Sequence, residues 1–199
     1  MQEKTQTKTS DSKPLKVKRK YLIPYIMIFV LVPFFTFYFG NFLDQILSLS
    51  PFPQFPFNLI FGPLIFILGL YIGIKSSRTV IKVGLGLPWG DFNGEAQSVR
   101  LVTQGPYAYT RNPTTIGYTL LPCGMGLMFQ SLSMAIIVPA LTLSSTILWV
   151  KIKEEPELEK RFGIEYQNYK KKTAFLIPKP SSLHSYLKNA TTKSKTPAR

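Results

Sequence analysis

Residues 112–150, NPTTIGYTLLPCGMGLMFQSLSMAIIVPALTLSSTILWV, contain no Asp, Glu, Lys or Arg. They divide at Gln130-Ser131-Leu132-Ser133 into two apolar stretches, 113–129 and 134–150. The first is short, roughly 25 Å if helical, and is interrupted by Gly117, Pro122, Gly124 and Gly126. The second stops at Lys151 and Lys153. Upstream, residues 21–74 hold one ionisable acid, Asp44, and no Lys or Arg. Within them, 21–39 and 57–74 each approach the ~20 residues that cross ~30 Å of hydrocarbon. A helix satisfies its own backbone in lipid, so apolar runs of this length read as spans. Pro24 and Pro33 are expected to kink the first span, and residues 40–56, with Asp44 and the turn-rich PFPQFP, form an exterior loop. The expected fold is all-α: a multi-pass integral membrane protein of four transmembrane helices.

The rest of the composition agrees. Only 17% of the 199 residues are charged, against about a quarter in soluble domains. The net charge of +14 is segregated, with seven Lys/Arg in residues 1–20, five in 75–111 and twelve in 151–199. Such juxtamembrane clusters follow the positive-inside rule and place both termini and the 76–111 loop in the cytoplasm. No aromatic-basic recognition motif accompanies the charge, so nucleic acid is not an expected partner. One cysteine, Cys123, and one histidine, His184, exclude Cys₂His₂ or Cys₄ zinc, a Ser-His-Asp triad and a two-His iron site. A cleaved signal peptide is disfavoured because 21–39 is long for an h-region and no small-x-small site follows.

This organisation divides the chain into a disordered basic tail (1–20), a two-span membrane part (21–83), a core (84–180) and a second disordered basic tail (181–199). In the core, residues 156–171 are expected to form an amphipathic cytosolic helix. Pro156 suits its first turn, and Leu158, Phe162, Tyr166 and Tyr169 share one face.

Two polar clusters flank the spans, where such residues mark functional sites. The first is Gln104-Gly105-Pro106-Tyr107-Ala108-Tyr109-Thr110-Arg111-Asn112-Pro113. A residue before proline avoids the α region, so Asn112 fits an N-cap and Pro113 the first helical position. The N–H groups of residues 114–116, beside Arg111, would then make an anion receptor. The second is Glu154-Glu155-Pro156, two acids at the unfavourable end of the helix dipole. They form either a cation receptor or a solvated surface with pairs such as Lys151–Glu155 and Glu157–Arg161. An anion and a cation receptor on one membrane face suit a zwitterion. The amino-acid end of S-adenosylmethionine is one, and a phospholipid headgroup is another.

Together, Gly105-Pro106-Tyr107-x-Tyr109-x-Arg111-Asn112-Pro113-x-x-x-Gly117 and Glu154-Glu155-Pro156-x-Leu158-x-x-x-Phe162-Gly163-x-x-Tyr166-x-x-Tyr169 resemble the isoprenylcysteine carboxyl methyltransferase and phospholipid methyltransferase superfamily. Gly86-Leu87-Pro88-Trp89-Gly90 and Phe175-Leu176-Ile177-Pro178 fit its prokaryotic members, and the likeness covers about residues 84–180. The resemblance implies a membrane enzyme that binds S-adenosylmethionine in a cytosol-facing pocket. Carried over by position, Arg111 and Glu155 are the catalytic residues. Cofactor binding falls to Gln104, Gly105, Pro106, Tyr107, Asn112, Pro113, Gly117, Glu154, Glu155, Leu176 and Ile177, and no metal is implied. Gly124-Met125-Gly126 matches the Gly-x-Gly of phospholipid N-methyltransferases, or else lets helices pack closely. Many relatives carry Tyr where this chain has Thr115.

The expected acceptor is lipophilic, a small molecule or a lipidated substrate reached from the membrane lipids. Carboxyl O-methylation of an isoprenylcysteine-like substrate leads, and phosphatidylethanolamine N-methylation follows it. Two other classes compete: a nicotinamide-dependent sterol reductase and a non-catalytic lipid- or partner-binding module. Oligomeric state is not legible.

Overall fold

A computed structural model describes residues 30–86 and 97–178. The tails 1–20 and 181–199, the start of the first expected span with Pro24, and most of Gly86-Leu87-Pro88-Trp89-Gly90 lie outside the described residues. The described residues are all-helical: α1 (Val32–Ile46), α2 (Phe57–Thr79), α3 (Pro113–Met128), α4 (Val138–Trp149) and α5 (Glu155–Lys172). Three π-helical stretches join them, with Val80–Gly84 extending α2, Ser133–Ile137 opening α4 and Val150–Glu154 linking α4 to α5.

Small residues bring α2 and α3 together. A Cβ at Gly62 would lie 2.4 Å from Met128 Cγ, one at Gly124 2.5 Å from Phe66 N, and one at Gly117 2.8 Å from Gly73 N. Partners rise in number along α2 as they fall along α3, so the two run antiparallel with backbones nearly touching. In lipid this is how helices gain dispersion contact, since apolar side chains gain nothing by leaving the acyl chains. At the next turn a Cβ on Gly126 would lie 2.2 Å from Ala135 N. Close packing therefore accounts for the glycines at 124 and 126.

Two helices, Phe57–Gly84 and Ser133–Lys172, are long and apolar enough to cross a membrane. The apolar part of the second ends at Val150, before Lys151 and Lys153. Phe34, Phe35, Phe42, Leu64 and Ile67 present large apolar side chains outward, as lipid contact requires and water does not favour. The chain is a membrane protein.

The first helix departs from expectation. It continues past residue 39 to Ile46, so the connection to α2 shrinks to residues 47–56, and Pro33 sits in its opening turn. Two contacts hold this extension. Gly40 lies against Met134, and the Asp44 carboxylate accepts the Ser133 N–H at 2.8 Å. A carboxylate at a helix N-terminus finds both hydrogen bond and dipole there, which makes an acid tolerable on an apolar helix. At the same end the Gln130 amide donates to the Pro53 carbonyl at 3.1 Å.

With α2 and α3 antiparallel and α4 returning along α3, the C-termini of α2 and α4 meet the N-terminus of α3. The two polar clusters gather at this charged end. We expect Gly126→Val to disrupt the fold, seen as loss of a monodisperse peak in detergent. Gly73→Ala, whose Cβ would meet nothing within 4 Å, gains up to about 1 kcal/mol of helix propensity, and its melting temperature should hold or rise.

Candidate functional site

The connection into α3 is set by local chemistry. Val99 N donates to the Gly84 carbonyl at 2.8 Å, pinning the returning chain to the end of α2. Gly105, at φ +60°, adopts the left-handed conformation and lies against Thr79. A 3₁₀ turn over Gly105–Ala108 follows, with Pro106 preset for its first positions. Asn112 then takes the N-cap position and Pro113 opens α3, as their order requires.

The Asn112 side chain does not cap the helix, however. Its amide donates to the Phe175 carbonyl at 3.1 Å, beside the Thr110 hydroxyl at 3.0 Å. Arg111 N donates to the Ala174 carbonyl at 2.9 Å, within a parallel bridge between Thr110 and Ala174. The C-terminal segment is thus laid beside residues 110–112 as a short strand-like strap. The first turn of α3 is also less open than expected, because Ile116 N–H already bonds to the Asn112 carbonyl at 3.4 Å.

Arg111 and Glu155 meet. Arg111 Nη1 is 2.8 Å from Glu155 Oε1, and each side chain is 10% exposed. The contact is an ion pair without an aligned hydrogen bond, so Arg111 Nε and Nη1 and Glu155 Oε1 keep unused bonding capacity while buried. Lys170 Nζ reaches Glu155 Oε2 and Glu159 Oε1, both at 2.9 Å. Those hydrogen bonds, Glu159 first and then Glu155, hold the Lys170 ammonium above its usual pKa.

Residues 155 and 170 would be about 22 Å apart on a straight helix. They touch because α5 reverses at Gly163, whose φ of 53° and ψ of −126° leave the helical region. Only glycine takes this conformation cheaply. The single helix expected over 156–171 is therefore two arms. The four residues expected on one face are still the inward ones: Tyr166 is buried, and Leu158, Phe162 and Tyr169 are half-buried. The pairs Lys151–Glu155 and Glu157–Arg161 give way to other partners. Glu157 accepts from Gln97 at 2.6 Å, Arg161 donates to the Ser98 carbonyl, and Lys151 lies over the Phe175 ring. Arg111 lies over the same ring.

Three tyrosines complete the frame. The Tyr169 hydroxyl donates to the Tyr107 carbonyl at 2.6 Å, and Tyr107 Oη lies 3.0 Å from Thr114 Oγ1. Burial pushes the Tyr107 and Tyr166 phenols up to about 12, and raises Tyr169 as well. All three stay protonated across the physiological range.

Glu154 differs from its neighbour. Its surface is open, yet protein surrounds it closely enough for desolvation to raise its pKa, and the charges of Glu155 and Glu157 add to the effect. Tyr107 feels its charge. One end of the bundle thus holds a buried guanidinium with unused donors and an accessible carboxyl. Gln104 and Gly105 are exposed on the loop, Leu176 is half-buried, and Ile177 is exposed beyond the strap. Gly117 sits at the α2–α3 contact, where packing explains its missing side chain. Thr115 is buried, and its carbonyl accepts from Thr119 at 2.9 Å. Sequence reading missed Thr110 and Lys170 as fastenings and Gly163 as a reversal. A glycine inside a helical pattern was the available signal for the last.

Removing one partner of a buried ion pair strands the other. Glu155→Ala should destabilise the protein by about 3–5 kcal/mol. The double change Arg111→Met with Glu155→Met should recover most of that loss, as read by thermal unfolding in detergent. Gly163→Ala should cost ~1–3 kcal/mol through backbone strain alone.

Comparison with known proteins gives one family. The model for phospholipid methyltransferase matches residues 57–165, which extends the likeness back through α2. No curated protein and no solved structure matches the chain. The matched stretch is more than half of the 199 residues and runs from α2 through α3 and α4 to the Glu-Glu pair and Gly163. The chain belongs to the phospholipid methyltransferase family.

Proposed function

We propose that this protein is an integral membrane methyltransferase that uses S-adenosylmethionine to methylate a lipophilic acceptor. The observation that carries the reading is that one end of the bundle holds both a buried Arg111 with unused donors and, next in sequence to its partner Glu155, an accessible Glu154. Buried Nε and Nη1 donors on Arg111 fit a carboxylate, and an open carboxyl at Glu154 fits an ammonium. Carried at the same end of the bundle, they match the two charges of an amino-acid moiety. Glu155, committed to Arg111 and Lys170, acts as the fastening that fixes the guanidinium.

Bound S-adenosylmethionine supplies an electrophilic methyl, transferred by in-line displacement without metal or covalent enzyme intermediate. The chain's own work is orientation and exclusion of water. Arg111 holds the carboxylate and Glu154 the ammonium. Residues 104–107 and the strap through Leu176 and Ile177 form the walls, while Asn112 and Pro113 anchor loop and helix to each other.

Proton accounting supports a choice of acceptor. With Arg111 and Glu154 engaged and the three phenols protonated, the described site residues leave no free base. A carboxylate, ionised at neutral pH, needs none. We therefore favour O-methylation of a lipid-borne carboxylate, of the isoprenylcysteine kind. The family description favours a second reading, N-methylation of a phospholipid amine, whose proton would leave to water. The reading is completed by four spans, with both termini and the site on the cytoplasmic side, supported by the basic residues gathered at that end.

Calorimetry on detergent-purified protein should show saturable binding of S-adenosylmethionine and none of nicotinamide cofactors. An ammonium binds only the ionised Glu154, whose pKa lies above the ordinary 4.5. Affinity should fall as pH drops through that raised value and stay level above it, and Glu154→Gln should remove both affinity and slope. Labelled methyl transferred into membrane extract should be released by alkali as volatile methanol if it is an ester. Alkali-stable label would mean the amine instead.

A further inference from the structure

The Glu155 carboxylate divides its two oxygens between two cations. Arg111 Nη1 stands 2.8 Å from Oε1, and Lys170 Nζ stands 2.9 Å from Oε2. A guanidinium and a carboxylate that are free to turn favour a fork of two parallel hydrogen bonds, which uses both oxygens. That fork is not made here. Arg111 and Glu155 touch and are each 10% exposed, yet Arg111 Nε and Nη1 and Glu155 Oε1 have no aligned partner. Buried donors without acceptors are costly, so a neighbouring group must hold the carboxylate off the fork.

Lys170 is in position to do so. It returns to Glu155 because α5 reverses at Gly163, and the returning segment is fastened on either side of it. The Tyr169 hydroxyl donates to the Tyr107 carbonyl at 2.6 Å. Thr173 N donates to the Tyr169 carbonyl and Arg111 N to the Ala174 carbonyl, both at 2.9 Å. Glu159 accepts a second hydrogen bond from Lys170 Nζ at 2.9 Å, so the ammonium is held between two carboxylates. The Lys170 and Glu159 side chains are each more than a third exposed, and a pair so placed adds little stability. Its consequence lies in where it leaves the charge of Glu155.

We infer that Lys170 is a positioning residue for the cofactor: by holding Oε2 of Glu155 it keeps Arg111 out of a closed fork and leaves the guanidinium donors for the carboxylate of S-adenosylmethionine. The inference rests on the reading of Arg111 as the receptor for that carboxylate. Lys170 acts through Glu155 and not on the ligand. Without its ammonium, Glu155 turns both oxygens to Arg111, and the buried donors are satisfied within the protein. The site then closes to an anion while the fold loses little.

The test is calorimetry on the full chain in detergent with two ligands, S-adenosylhomocysteine and methylthioadenosine. The second keeps the nucleoside and thioether but has no amino-acid moiety, so it makes no use of Arg111. Lys170→Met should weaken S-adenosylhomocysteine binding by about tenfold, the worth of one hydrogen bond to a charged group. It should leave methylthioadenosine binding and the melting temperature as in the parent. Lys170→Arg, which keeps a cation on Oε2, should restore the lost affinity. Undiminished S-adenosylhomocysteine binding in Lys170→Met would overturn the inference, and so would equal weakening of both ligands, which marks a merely structural role. A parent protein that binds neither ligand would instead overturn the cofactor reading, and this inference with it. If Lys170→Met does not fold, Lys170→Gln, which keeps a donor for Glu159 without the charge, is read on the same scale.

Discussion

The contact between Arg111 and Glu155 joins parts of the chain that nothing else in the sequence obliges to meet. Arg111 ends the loop before α3, and Glu155 follows the π stretch after α4. Burying two charges is costly, and it is tolerated only when geometry and additional partners compensate. Lys170 supplies one such partner and the Phe175 ring lies under the guanidinium. The ion pair therefore draws both the reversed arm of α5 and the C-terminal strap toward it.

The two ends of the bundle solve different problems. At the end of Asp44 and Ser133, one carboxylate meets one helix start and a glutamine closes the connection. Those bonds satisfy backbone groups where helices emerge from the apolar region. The opposite end keeps polar capacity unused: guanidinium donors without aligned acceptors and a carboxyl raised by its surroundings. The stripe of close glycine contacts between α2 and α3 holds the two ends in fixed relation, because backbones that touch leave no slack for tilting.

Much of this was legible in the residues. Charge-free runs announce helices in lipid, and Asn112-Pro113 locates the start of α3 through the restricted backbone on both sides of the bond. The Glu-Glu pair and Arg111 could be marked as polar groups beside spans on one membrane face, though not as partners of one another. What could not be read depends on tertiary partners. Asp44 looked like a loop residue because an acid on an apolar helix needs a partner 89 positions away. The face shared by Leu158, Phe162, Tyr166 and Tyr169 fits a continuous helix as well as two arms, so periodicity alone conceals the reversal at Gly163. Phe175 gave no sign that its carbonyl, rather than its ring, would hold the loop.

The π stretch at Val150–Glu154 bears on the doublet that follows it. A π turn closes its hydrogen bond over one more residue than an α turn. Rewound as α, the same turn would need one residue fewer, and Glu154 would arrive near the place that Glu155 now fills. Which of two identical side chains is sealed against Arg111 is thus a matter of winding rather than of chemistry. With a doublet, a slip of a single residue still leaves a carboxylate against Arg111, while Lys153 would take the open place.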